Sequence, residues 1–465
     1  MSLLRSGFAL AIFLSTTHCF AAGSGEPPNI VFIMVDDMGA ADLSSYGSKV
    51  LETPRIDSLA TDGMKFTQAY SGAPVCAPAR CTLMTGYHNG HTSVRDNADG
   101  GVPLLEEDIT IAELLHKADY VVGGFGKWGQ GDIGTTGAAE RQGFDEFVGY
   151  YNQRHAHSYF PRYLIDTGEK LPLSNPHRIN GDREGVDPID EKLNVRRQFA
   201  QDVIFDRTLK FIRKHADERF FCYVPWTPPH GSFQLPKNDP HWLKFKDKRW
   251  SLKARGHAAF CEMMDEQTGA VLDLLDELGL AENTIVFFTS DNGASKRFEG
   301  ELDSSGHFRA NKGEVYEGGI RVPLLVRWPG HIAAGSNSDL PTYFPDVMPT
   351  LCELAGIADA PPQNIDGISI VPTLVGQTDR QEKHEHMYWE LKQERALRKG
   401  QWKVVRDGAD APLELFNLED DPSEAKNLAE LHPELAARLD EKMKNARVPA
   451  RPQIGPEYPE GKRWR

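Results

Sequence analysis

Four short apolar runs recur along the chain, and each stops abruptly in polar or glycine-rich residues. Asn29 to Val35 runs into Asp36-Asp37, and Tyr120 to Phe125 runs into Gly126-Lys127-Trp128. Phe220 to Val224 leads to Thr227-Pro228-Pro229-His230, and Thr284 to Phe288 leads to Ser290-Asp291-Asn292-Gly293. Continuous β-branched and aromatic runs of this length predict strands covered on both faces. Between them the pattern changes to helical spacing. Ile111 to Leu115 and Val203 to Ile212 each place apolar residues on one face, and Ala258 to Leu280 carries a stripe of Phe260, Met264, Val271, Leu274, Leu275 and Leu278. Alternation of strands and helices predicts an α/β fold, with a large, mixed, mostly parallel central sheet flanked by helices. Such sheets bind ligands beyond the carboxyl ends of their strands. All four runs deliver their polar residues there.

The two ends of the chain read differently from its body. Arg5 followed by the apolar Phe8 to Leu14 and the small residues Ala21, Ala22 and Gly23 has the make-up of a signal peptide over residues 1–22. That predicts a periplasmic or secreted protein. Cys19 follows Thr17-His18, where a lipid-anchor signal wants small residues. No run reaches the roughly 20 apolar residues of a membrane span. Residues 23–375 form the predicted catalytic domain. Beyond the Pro- and Gly-bearing stretch that ends it, His386 to Leu391, Arg395 to Leu397 and Trp402 to Arg406 predict short strands, and Leu428 to Asn445 a charged amphipathic helix. Residues 376–465 are therefore expected to form an α+β subdomain with a short antiparallel sheet. After removal of the leader, five cysteines remain: Cys76, Cys81, Cys222, Cys261 and Cys352. An odd number leaves at least one unpaired in an oxidising compartment.

Composition narrows the chemistry. With 52 Lys and Arg against 67 Asp and Glu, the formal net charge is −15, and loss of Arg5 makes it one unit more negative. A general nucleic-acid binder would show the opposite balance. An anionic substrate is not excluded, but a local pocket must recognise it, because the far field of the protein repels it.

Two acidic pairs stand at equivalent strand ends. Asp36, Asp37, Asp291 and Asn292 offer hard oxygen ligands without thiolate or imidazole, which suits Ca²⁺ or Mg²⁺ and disfavours Zn²⁺. Taken singly, each pair could merely cap a turn. Cys76-Ala77-Pro78-Ala79-Arg80 places a proline in the first turn of a predicted helix, so Cys76 starts it beside unpaired backbone N–H groups that attract anions. Arg80 returns to the same face one turn later.

This segment, with its downstream Thr85-Gly86, resembles the sulfatase signature C-x-P-x-R. Asp36-Asp37, Gly126-Lys127-Trp128, Thr227-Pro228-Pro229-His230, Ser290-Asp291-Asn292-Gly293 and Lys312-Gly313 with Tyr316 to Arg321 resemble that family's blocks in their order. So do Asp346 to Thr350 and Leu415 to Leu418. The resemblance implies an alkaline-phosphatase-like fold and hydrolysis of sulfate esters. It implies that Cys76 is oxidised to formylglycine by a formylglycine-generating or sulfatase-maturing enzyme. One hydroxyl of the aldehyde hydrate would attack sulfur, and the second would lose its proton to expel sulfate, which a serine could not do. It further implies one Ca²⁺ held by Asp36, Asp37, Asp291, Asn292 and the formylglycine at position 76. Arg80 would hold the hydrate, Lys127 and Lys312 would neutralise charge on the sulfate and its leaving oxygen, and His230 would donate a proton or a hydrogen bond to that oxygen.

One position departs from the pattern. Many sulfatases continue Gly-Lys-Trp with His, and this chain has Gly129. The polar loop Tyr150 to His157 lies where the family's substrate pocket begins. Asn152, His155 and His157 are its candidate substrate-binding residues, and His155 or His157 is expected to contribute to the pocket. The loop's polarity favours a sulfated carbohydrate over a steroid or lipid. Two alternatives stand beside this reading: a phosphate or phosphonate ester hydrolase of the same superfamily, which Asn292 in place of a metal-binding His disfavours, and a non-catalytic binder of sulfated glycans.

Overall fold

The computed structural model describes residues 26–97, 102–175, 198–236, 238–298 and 300–451. The segment 1–22, with Cys19, lies outside them. The main sheet has ten strands: β1 (Asn29–Val35), β2 (Met64–Phe66), β3 (Val121–Lys127), β4 (Glu146–Tyr150), β5 (Tyr163–Asp166), β6 (Glu169–Pro172), β7 (Phe220–Pro225), β8 (Thr284–Ser290), β9 (Leu324–Arg327) and β10 (Ser336–Ser338). Their order is β10-β2-β9-β8-β1-β7-β3-β4-β5-β6. The four apolar runs are therefore four neighbours, β8-β1-β7-β3, all parallel. Antiparallel pairing is confined to the flanks, where β9 joins β8 and β2 on one side and β5 joins β4 and β6 on the other.

Alternation along the central strands splits the core into two layers. Val31, Ile33 and Val35 of β1 pack with Val286 and Phe288 against the helices Ala200–Lys214 and Leu252–Glu277. Ile30, Phe32 and Met34 pack with Ile285 and Phe287 against the helices Cys76–Thr85, Ile111–Lys117 and Val347–Leu354. With both faces covered, a polar side chain on these strands can only be accommodated at their ends.

Two helix starts differ from the sequence pattern. The long helix begins at Leu252, ahead of the apolar stripe, because the Ser251 hydroxyl accepts the Ala254 N–H at 3.1 Å and caps it. The last helix begins at Pro433, later than Leu428, with proline in its first turn. Its residues Ala436, Leu439 and Met443 cover one face of a four-stranded antiparallel sheet, β11 (Met387–Leu391), β12 (Glu394–Lys399), β13 (Trp402–Asp407) and β14 (Leu413–Asn417). The opposite face, with Trp389, Val405 and Phe416, packs on Tyr70, Val315, Tyr316, Ile320 and Tyr343 of the main body. Cys76, Cys81, Cys222, Cys261 and Cys352 are all unpaired and buried. Among the described residues, no helix is long and apolar enough to cross a membrane.

Candidate active site

β1 and β8 run in register to their ends, Val35 opposite Ser290, so Asp36-Asp37 and Asp291-Asn292 leave the sheet side by side. Asp37 adopts a left-handed backbone, φ 68°, which aspartate tolerates better than most residues. Its N–H donates to Asp291 Oδ1 at 3.3 Å, and the N–H of Met38 donates to Ser290 Oγ at 3.0 Å. The two acidic turns are thereby stitched together.

The helix Cys76–Thr85 points its start at these turns. Cys76 is its first residue, and both Cys76 and Arg80 are buried. Arg80 donates through Nη2 to Asp291 Oδ2 at 2.8 Å and to Asp36 Oδ2 at 3.4 Å, and through Nη1 to the carbonyl of Lys127 at 2.5 Å. Lys127, the last residue of β3, donates to Asp36 Oδ2 at 2.5 Å. Lys312 contacts Asp37 Oδ1 and donates to Cys76 Sγ at 3.1 Å, and that sulfur lies 3.4 Å from Asp36 Oδ1. The result is a buried cage of three carboxylates and three cations around residue 76.

Each ionisation state follows from this enclosure. Burial opposes the charge on Asp36, but Lys127, His230, Lys312 and Arg80 hold its carboxyl well below the ordinary range. Burial and the neighbouring Asp36 push Asp291 up. Lys127 and Lys312 are raised against their own burial, chiefly by Asp36 and Asp37 respectively. Burial, with Asp291 and Asp36 alongside, pushes the Cys76 thiol up to about 12. An unmodified Cys76 in this cage is a thiol, a weak nucleophile.

The donor set fits a hard cation. Asp36, Asp37, Cys76 and Asp291 bring one ligand atom each within 4.8 Å of one another. Asn292 donates its amide Nδ2 to Asp37 Oδ1 at 2.8 Å, which leaves its Oδ1 buried without a partner. An orphaned buried carbonyl beside three carboxylates has the character of a cation ligand.

His230 follows β7 on the turn at the cis Pro228-Pro229 bond. Its Nε2 lies 3.6 Å from Asp37 Oδ2, and its Nδ1 is buried without a partner. Burial, with Lys312 and Lys127 nearby, holds the ring well below the ordinary histidine value, so it is neutral at neutral pH. The loop after β4 divides its candidates. His157 stacks on His230 with ring centroids 4.7 Å apart, and Ser232 Oγ donates to its carbonyl. Two residues earlier, His155 packs between Tyr150 and Tyr163, and Asn152 is buried with its amide 3.4 Å from Asp132 Oδ2. The structure thus brings His157 to His230 and turns His155 toward Tyr150 and Tyr163 and Asn152 toward Asp132. Of three amide side chains to which the pattern assigned no role, Asn97 and Gln130 bond the backbone of Ala77, the residue after Cys76, and Gln153 bonds Asn97. Nothing in their sequence spacing marks them, since they come from three separate loops.

Comparison with known proteins places this arrangement. A model of the sulfatase family matches residues 28–357, and one of the N-sulphoglucosamine sulphohydrolase C-terminal region matches residues 306–449. The chain is 34% identical over 390 residues to N-acetylgalactosamine-6-sulfatase of Rattus norvegicus, covering 80% of this chain and 70% of that protein. It is 31% identical over 468 residues to arylsulfatase A of Bos taurus, covering 90% and 87%. Its fold is similar to the crystal structure of Ps i-CgsB in complex with k-i-k-neocarrahexaose, with a TM-score of 0.77, 26% identity, and 90% and 92% of the two chains covered.

Proposed function

This chain belongs to the sulfatase family, whose members hydrolyse sulfate esters, and from that premise we propose that it desulfates a carbohydrate through formylglycine made from Cys76. The carrying observation is the enclosure of residue 76 at a helix start by Asp36, Asp37, Asp291, Arg80, Lys127 and Lys312. The reaction converts R–O–SO₃⁻ and water into R–OH, sulfate and a proton.

Formylglycine at position 76 supplies, as its hydrate, a nucleophilic hydroxyl that a buried thiol lacks. Asp36, Asp37, Asp291, Asn292 and residue 76 would hold Ca²⁺, which would supply polarisation of sulfate oxygens and a lowered hydroxyl pKa. The chain's own residues do the remainder. Arg80, fixed on Asp291 and on the Lys127 carbonyl, orients the hydrate. Lys127 and Lys312 offset the charge that develops on the sulfate and on the departing oxygen. The paired charges of the cage, three against three, let a dication and a monoanionic ester enter without a large net charge being buried. His230, neutral here, donates a hydrogen bond to the leaving oxygen. His157, stacked on it at 4.7 Å, fixes the tilt of that ring.

The polar loop, the likeness to N-acetylgalactosamine-6-sulfatase and the likeness to Ps i-CgsB, whose structure is of a complex with k-i-k-neocarrahexaose, support a sulfated glycan. The leader-like residues 1–22 support export to the periplasm or the medium, and Cys76 makes a sulfatase-maturing enzyme an obligatory partner. Turnover of an aryl sulfate, an aryl phosphate and a panel of sulfated oligosaccharides, each before and after chelation with EGTA, tests the reading. It expects Ca²⁺-restorable desulfation with phosphate hydrolysis at least about 100-fold slower. Faster hydrolysis of the phosphate ester would overturn it.

A further inference from the structure

We propose that Asn97 and Gln153 are positioning residues that clamp the start of the nucleophile helix and tie it to the substrate-side loop. The inference rests on the sulfatase reading of residue 76. The helix Cys76–Thr85 has no cap of its own, since Val75 precedes it and offers no side-chain acceptor. The Ala77 N–H is one of the donors that a helix start leaves without an intrahelical partner. Asn97 Oδ1 accepts it at 2.8 Å, acting as a remote cap. The same oxygen accepts Gln153 Nε2 at 3.0 Å. On the other side, the Ala77 carbonyl accepts Gln130 Nε2 at 2.8 Å. Both polar backbone atoms of the residue after the nucleophile are therefore held by amide side chains.

Gly129 lies directly beside Gln153 in this arrangement. Its φ is +75°, and a Cβ built there would meet Gln153 Cγ, Cδ and Nε2 at 3.4, 3.5 and 3.6 Å. The Gln153 chain thus lies over the place where residue 129 has no side chain, and runs from there to Asn97. Gln153 also belongs to the loop that carries His157 against His230. A single chain of hydrogen bonds links that loop, through Gln153 and Asn97, to the backbone beside residue 76. A shift of the loop is transmitted to the attacking group, and misplacement of about 1 Å at such a group costs up to about 100-fold in rate.

Substitutions separate the clamp from mere packing. Asn97→Asp keeps the acceptor for both donors, whereas Asn97→Ala removes it and Gln153→Glu sets an acceptor against an acceptor. Hydrogen exchange of a peptide spanning residues 76–80 is expected to quicken in Asn97→Ala and Gln153→Glu and to stay at the parent rate in Asn97→Asp. This readout needs no turnover. On an aryl sulfate, with rates normalised to the aldehyde content of each preparation, Asn97→Ala and Gln153→Glu are expected to lower kcat about 10- to 100-fold with KM within about twofold. Asn97→Asp is expected to stay within about threefold of the parent. Unchanged exchange would overturn the clamp. Quicker exchange with an unchanged kcat, or a raised KM alone, would overturn the positioning role. If the parent itself turns over no sulfate ester, the functional reading fails, while the exchange data still decide whether the clamp exists.

Discussion

Two buried clusters of charge lie in this molecule, and they differ in what they leave unpaired. At the strand ends, Asp36, Asp37 and Asp291 face Arg80, Lys127 and Lys312, while Asn292 Oδ1 and His230 Nδ1 are buried without partners. Between the main body and the C-terminal sheet, Lys403 is fully buried, 2.9 Å from Glu317 Oε1 and 2.8 Å from Glu424 Oε1. There the remaining oxygens are also engaged: Glu317 Oε2 accepts Tyr70 Oη at 2.7 Å and Arg321 Nη1 at 3.1 Å, and Glu424 Oε2 accepts the Glu317 N–H at 2.7 Å. The second cluster closes on itself and joins two parts of the fold. The first has ligand atoms left over. Glu424 Oε1 has Lys403 as an ion-pair partner although it accepts no hydrogen bond. The contrast therefore lies in the neutral Asn292 carbonyl, which has no partner of either kind among the carboxylates of the first cluster.

The contrast predicts that the two clusters fail in opposite ways. Replacing the group at the centre of the open cluster, Cys76→Ala, is expected to lower turnover of an aryl sulfate by more than about 10³-fold, because no nucleophile remains. Its melting temperature should stay within a few degrees of the parent, at roughly 2–4 °C per kcal/mol for a large domain. Retained turnover would remove residue 76 from the chemistry. At the closed cluster, Lys403→Met leaves Glu424 buried without its cation and Glu317 with Arg321 alone. Denaturant unfolding should show a loss of about 3–5 kcal/mol, with kcat per folded molecule unchanged. A fall in kcat without a fall in stability would make the two clusters one functional unit.

A smaller effect sharpens the closed cluster further. Burial pushes Glu424 up to about 7 from 4.5, against the pull of Lys403. The folded state therefore binds this proton more tightly than the unfolded chain. Its contribution to stability is present below the unfolded value and declines as pH rises from about 4.5 to about 7. Melting temperatures of Glu424→Gln should fall less steeply than those of the parent over that interval. Parallel slopes would show that Lys403 keeps the carboxylate ionised throughout.

The sequence makes the open cluster legible and hides the closed one. Asp36, Lys127, His230 and Asp291 stand at or just beyond the ends of four continuous apolar runs, and a parallel sheet must deliver such residues to one edge. Cys76 and Arg80 are legible because Pro78 marks a helix start. Lys403, by contrast, reads as an ordinary solvent-facing lysine in a short strand. Only the packing of β13 on the main body buries it. The apolar pattern does not mark the fourth strand of the small sheet, β14 (Leu413–Asn417), because its neighbouring Leu415 and Phe416 serve opposite faces of the sheet. His155 and His157 are indistinguishable in the sequence. The short turn His155–His157 sends one ring to Tyr150 and Tyr163 and the other to His230. The Asn97–Ala77–Gln130–Gln153 contacts arise where separate loops converge, and no spacing along the chain encodes them.

The central claim is that residue 76, enclosed in the open cluster, acts as formylglycine. Mass spectrometry of the tryptic peptide Phe66–Arg80, from protein made in its native host, tests it most directly. The account predicts a peptide lighter than the thiol form by about 18 mass units, in a proportion that tracks the specific activity on sulfate esters. A fully active preparation whose Cys76 is entirely an unmodified thiol would contradict it.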